Sequence, residues 1–182
     1  MSVAKNRAFK QLLWVGMGAI AMFFAGLTSA YIVRKAEGNW VEFILPEWFW
    51  YSTITIVLSS VVLILAKQKI KKDKSGFSLV LSVFMLGLLF SFFQLNGWEE
   101  LTNQGVYLTG EGSNVSGSFL YVLTLSHLVH LIGGLIALLV TAINAKRKKY
   151  SAEDYLGLEI TSIYWHFLSI LWIYLFCFLK YL

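Results

Sequence analysis

"VSGSFLYVLTLSHLVHLIGGLIALLVTAINA", residues 115–145, carries no Asp, Glu, Lys or Arg along its whole length. An α-helix rises about 1.5 Å per residue, so roughly 20 apolar residues carry a chain across the ~30 Å hydrocarbon core of a bilayer. The stretch is long enough to span. Four further charge-free segments, 11–33, 49–66, 77–98 and 160–179, are each near or above that length. We therefore expect an all-α integral membrane protein, one membrane domain over 1–182, with five transmembrane helices at about 11–33, 49–66, 77–98, 116–145 and 159–180.

Composition agrees. The chain is 58 % hydrophobic and 16 % aromatic, with one proline, outside the usual range of a soluble domain. Cys177 is the only cysteine, which excludes a disulfide framework, a CxxC pair or a cysteine-based zinc site within one chain. The net charge of +5 does not point to nucleic acid, because the basic residues sit in short clusters between apolar runs. The first apolar segment follows Lys5, Arg7 and Lys10 like a signal peptide, but it exceeds the ~7–15 residues of a signal core and reads as a retained helix.

The basic clusters set an expected orientation, since short cytoplasmic loops keep Lys and Arg. Three basic residues lie in the N-terminal tail, five between Lys67 and Lys74 and four at 146–149, against only Arg34, Lys35 and Lys180 on the other side. The N-terminus is expected inside and the C-terminus outside. Glu37, Glu42, Glu47, Glu99, Glu100 and Glu111 then fall outside, and Trp40, Trp48, Trp50 and Trp98 near the interface that indoles favour.

No Asp, Glu, Lys or Arg lies deep in a span, where proton relays normally need one. Glu159, at the inner end of the fifth helix, is the nearest, read as a solvated helix-end charge or a partner for histidine. On the fourth helix Ser126, His130, Gly133, Ala137 and Thr141, beside Gly134, form a stripe of small and polar residues, which places His130 against protein. Ser162, His166 and Ser169 form a similar stripe on the fifth. Ala21, Ala25 and Ser29 give the first helix a packing face, and Gly87, Ser91 and Gln94 the third.

From the helical rise, His166 lies about 10 Å above Glu159 and His130 about 20 Å below the outer end of its helix, so their depths match; His127 is one turn nearer the outside. Matching depth permits a haem between His130 and His166, and a metal on His127, His130 and His166 is imaginable, but no basic residue or further carboxylate or thiolate stands near to complete either site. The other reading is that neutral imidazoles hydrogen-bond across helix contacts or meet Glu159 or a lipid headgroup.

"IYWHFLSILWIYLF", residues 163–176, with Tyr164, Trp165, His166, Phe167 and Trp172, resembles the last-helix signature of subunit III of the haem-copper terminal oxidases, and Glu159 matches the same pattern. "GSFLYVLTLSHLVHLIGGLIAL", residues 117–138, is similar to that family's other signature, a threonine before His-x-x-His and then glycines; "MFFAGLTSAYIV" (22–33) and "FQLNGW" (93–98) agree with earlier helices. The likeness covers nearly the whole chain in order, and fits the short five-helix bacterial form. Three positions depart from it: Ile20 stands where many members carry an embedded glutamate, Gly97 where a glutamate often precedes the tryptophan, and Ser169 where an aspartate often follows the histidine motif.

The resemblance implies an accessory, non-redox subunit of a proton-pumping respiratory cytochrome c oxidase in a bacterial inner membrane. Haem and copper would lie in the catalytic subunit I, and subunit II, further respiratory subunits and bound phospholipid would be neighbours. On this reading the chain has no catalytic or metal-binding residue. His127, His130, Glu159, His166, Trp165 and Trp172 are structural or lipid-contact candidates, and Ala21, Ala25, Ser29, Gly133, Gly134 and Ala137 pack helices. The alternatives are subunit III of a quinol oxidase or of a nitric-oxide-reductase-type complex and, more distantly, a small haem-binding membrane protein.

Overall fold

The computed structural model describes residues 3–38, 40–72, 75–150 and 155–182. Five α-helices follow one another: α1 Val3–Ala36, α2 Trp48–Lys71, α3 Phe77–Asn103, α4 Val115–Lys146 and α5 Leu156–Tyr181. Each is long and apolar enough to cross a membrane. Lys74 of the second basic cluster and the side chain of Lys5 lie outside the described residues. The helices run past the expected ends because backbone hydrogen bonding does not stop where charge begins. Lys69 and Lys71 lie in the last turn of α2, and the Lys71 ammonium stands over the Tyr155 ring at 5.4 Å.

Local chemistry fixes the boundaries. α2 starts just after Pro46, whose carbonyl accepts from the Phe49 amide at 3.2 Å, a place where the fixed φ of proline suits a helix entry. α3 ends in a left-handed turn at Gly105 (φ 79°), with the Val106 amide closing back on the Leu101 carbonyl at 2.9 Å, the geometry for which glycine is favoured after a helix. Asn114 caps α4, its side chain accepting from the Gly117 amide at 2.7 Å.

α2, α3, α4 and α5 form a closed ring in which each packs on two others of the four, while among the described residues α1 packs only on α4 and α5. Inside the ring lies the main core, with Phe49, Ile56, Leu63, Phe90, Leu120, Leu131, Leu138, Trp165 and Trp172 fully or almost fully buried. A smaller cluster of Phe24, Tyr31, Leu123, Leu171, Leu175 and Phe178 fixes α1 in the groove between α4 and α5. Close approach inside the ring needs glycine. A Cβ on Gly87 of α3 would stand 2.6 Å from Leu135 and 2.7 Å from the Trp165 ring.

Two expected helix faces are displaced. Ala21, Ala25 and Ser29 are exposed, and α1 turns Met17, Phe24, Thr28 and Tyr31 inward instead. Large side chains fill the broad groove between α4 and α5, so the small residues are left on the far side. On α4 the buried seam runs through Leu120, Thr124, His127, Leu131, Gly134, Leu138 and Thr141, not through His130. Gly133 is exposed, Ala137 half-buried, and His130 stands on the shoulder facing α1. The difference is about one residue, near 100° of helix rotation. It arises because the apolar bulk of Leu120, Leu131 and Leu138 turns the helix, and the small-polar stripe follows to its flank.

Candidate functional site

The two histidine-bearing signatures lie on α4 and α5, at the contact that closes the ring and receives α1. His130 Nδ1 lies 2.7 Å from the Ser126 carbonyl; a carbonyl only accepts, so Nδ1 is the donor. Its ring rests against Phe24 (5.8 Å between centroids) and Phe23 (6.4 Å) of α1. Its backbone carbonyl accepts from the Tyr164 hydroxyl of α5 at 3.1 Å.

His166 lies elsewhere. Two residues along α5 from Tyr164, it points about 200° away from the side that meets His130. The same flank carries Ser169, which accepts at 2.8 Å from Ser60 of α2. The histidines of the two polar stripes thus do not face one another, while Thr141 of the α4 stripe does meet α5, at Thr161, 2.9 Å away. Among the described residues no group of three or more His, Cys, Asp or Glu is placed to hold a metal ion.

His127 is the buried histidine of the pair, with no exposed surface. Its ring packs between Trp172 (5.1 Å) and Phe90 (5.8 Å). Glu159 pairs with Lys10 of α1 at 2.8 Å, tying the outlying helix to α5 at the basic end of the bundle. With both side chains partly exposed, the pair is worth no more than about 1 kcal/mol; its use is to fix where α1 docks.

The two signature tryptophans hold the ring together. Trp165 is fully buried and donates its indole N–H to Ser59 of α2 at 2.9 Å; Trp172 donates to Thr53 of α2 at 2.9 Å. Each joins a large apolar body to one satisfied polar atom, the condition under which tryptophan is stable in a core. Trp98 does the same between α3 and Thr124 of α4 at 3.0 Å. Thr124 is the threonine of the His-x-x-His signature; the hydroxyl partners on α2 are not singled out by the sequence reading, yet a signal is present: Ser52, Ser59 and Thr53, Ser60 are two pairs seven apart, each on one face of α2.

The three departures have structural counterparts. A Cβ at Gly97 would come 2.7 Å from the Phe49 ring, so the space a carboxylate would need there is filled by an aromatic side chain. Ser169 is occupied with Ser60. Ile20 is a partly buried apolar neighbour of the α1 cluster.

The chain matches the family described as "Cytochrome c oxidase subunit III" over residues 43–182. It is 32 % identical over 178 residues to a probable cytochrome c oxidase subunit 3 of Nocardia farcinica, a match covering 91 % of this chain and 82 % of the relative. It is 29 % identical over 169 residues to a probable cytochrome c oxidase subunit 3 of Mycobacterium tuberculosis, covering 89 % and 82 %. A probable quinol oxidase subunit 3 of Staphylococcus saprophyticus is 25 % identical over 170 residues, covering 90 % and 83 %. With both histidine signatures and all of α2 to α5 inside the matched region, the chain belongs to the cytochrome c oxidase subunit III family and is an accessory subunit of a haem-copper oxidase.

Proposed function

We propose that this chain serves a cytochrome c-oxidising enzyme of a bacterial cytoplasmic membrane, with its N-terminus inside, and carries no redox centre itself. The observation that carries this reading is the family match across 43–182 on five spanning helices. The histidines add support, since His166 lies about 200° around α5 from Tyr164, which meets His130, and His127 packs between aromatic rings. Haem and copper belong to the catalytic subunit. The chain packs on that subunit, with subunit II and other respiratory subunits as further neighbours, and holds phospholipid on its apolar surface. It thereby supports stable turnover and proton uptake. Ala21, Ala25 and Ser29 on the outer face of α1 are candidates for the packing surface, since small residues let helix backbones approach within a membrane.

Purification through a tag on this chain tests the reading. The complex should bring haem- and copper-bearing subunits with it, while the isolated chain shows no haem absorption. His166→Leu should weaken association or turnover stability and leave the partner's haem spectrum unchanged. A stoichiometric haem band in the isolated chain, lost on His130→Ala, would overturn it.

The likeness to the staphylococcal quinol oxidase subunit favours a second reading in which the same scaffold serves a quinol-oxidising enzyme. Oxidation of reduced cytochrome c or of a quinol by the purified complex separates the two.

A further inference from the structure

We infer that the core of the four-helix ring contains a binding site for a single water molecule between His127 of α4 and Gln94 of α3. His127 is fully buried and both its ring nitrogens lack a hydrogen-bond partner among the described residues; Gln94 is 1 % exposed and its Oε1 also lacks one. Both residues lie on the buried faces of α3 and α4, which pack on one another. Phe90, one turn from Gln94 on α3, packs on the His127 ring, and Trp98, one turn the other way, donates to Thr124, three residues from His127 on α4. Gln94 thereby lies between one α3–α4 contact at His127 itself and another at Thr124, a turn nearer the start of α4.

The chemistry requires a third party. Gln94 Nε2 donates to Ser52 Oγ at 2.8 Å, and Ser52 in turn donates to the Phe49 carbonyl at 2.9 Å. That chain orients the amide by committing one of its N–H donors to α2 and leaves Oε1 as a bare acceptor. A neutral imidazole offers one N–H and one bare nitrogen. With Phe90 and Trp172 on its flanks, His127 has apolar walls and no carboxylate among its described contacts to stabilise a charged ring. Unpaired polar atoms are especially costly where no solvent reaches them. Water can pair with one ring nitrogen of either tautomer, because it can donate to Oε1 while donating to, or accepting from, the imidazole; buried waters typically bind through two to four such partners. The bridge would extend the Ser52–Gln94 link to α4 and join three helices of the ring through one polar node.

A map of the intact oxidase at a resolution that shows ordered water tests the site directly. Density within hydrogen-bond distance of both Gln94 Oε1 and a His127 ring nitrogen is expected. A direct His127–Gln94 bond, or dry contact with no density between them, overturns the inference. A double-mutant cycle on the full chain in detergent supplies a second measure. His127→Leu and Gln94→Leu should each lower the thermal midpoint, and the double variant should lose clearly less than the sum, because the remaining partner is no longer stranded. Strictly additive losses count against a shared ligand. Should a single variant fail to fold, the map of the unaltered protein decides.

Discussion

The ring of α2 to α5 and the outlying α1 are built from similarly apolar sequence but packed by different rules. In the most hydrophobic stretch of α5, 50 % of residues are buried inside the chain; in α1 the figure is 17 %. Ring helices meet through glycines, buried hydroxyls and indoles, and α1 meets its neighbours mainly through large side chains, Met17, Phe24 and Tyr31 among them, with the Thr28 hydroxyl and the Lys10–Glu159 ion pair as polar links. Hydrophobicity therefore does not distinguish interior from exterior in a membrane protein, since lipid is as apolar as leucine. What distinguishes them is fit and polar pairing.

Removing the largest fitted body should break that difference most sharply. Trp165→Ala would delete a fully buried indole, its bond to Ser59 and the contact over Gly87. A loss of about 3–5 kcal/mol is expected, as for large aromatic truncations in cores, read as a lowered thermal midpoint of the chain in detergent. A change smaller than 1 kcal/mol would show that the ring is not held by this residue.

A paired glycine replacement comes next. At Gly87 a Cβ has no room, while at Gly26 on α1 nothing lies within 4 Å. Gly87→Ala should destabilise by about 1–3 kcal/mol through overpacking, partly offset by improved helix propensity. Gly26→Ala should be neutral or stabilising by up to about 1 kcal/mol. Equal effects at the two sites would erase the distinction between ring and outlier.

The sequence already showed the parts of this arrangement that depend on amount, and concealed those that depend on direction. Five spans, their order and the two signatures were legible because each needs only length, charge-free composition or a local motif. The seam of α4 was not, since residues 126, 130, 133, 137 and 141 match helical spacing as well as the observed seam through His127 and Gly134 does. Polarity selected the former and bulk decided for the latter. On α1, spacing gives Ala21, Ala25 and Ser29 a packing face without saying which helix it meets, and the groove between α4 and α5 takes Phe24 and Tyr31 instead. The links from Trp165 and Trp172 to α2 were hidden for another reason: each partner is more than 100 residues away along the chain.

A smaller effect is expected at the polar link between the two regions. Tyr174 of α5 donates to the Thr28 hydroxyl at 2.9 Å, and Thr28 donates back to the Phe24 carbonyl at 3.0 Å. Thr28→Val keeps the shape and removes the acceptor. Tyr174 is 46 % exposed, so its hydroxyl can turn to other partners. The loss should be about 0.6 kcal/mol, typical of hydrogen bonds between membrane helices. A double-mutant cycle with Tyr174→Phe measures it, and a coupling above about 2 kcal/mol would mean that α1 is held as rigidly as the ring.

The smallest effect on the chain alone is expected at Ala25, which is exposed on the outer face of α1 and touches no other helix core. Ala25→Leu should leave the isolated chain within about 0.5 kcal/mol of its original stability, as surface replacements do. If this face is where another subunit's helix approaches, the added isobutyl group separates the two backbones and reduces the fraction of chain recovered in the intact oxidase. The contrast is informative because Gly87→Ala should act the other way round, lowering the stability of the chain before assembly begins. Unchanged stability together with unchanged recovery would place the partner on a different face, and would leave α1's small residues as ordinary lipid-facing surface.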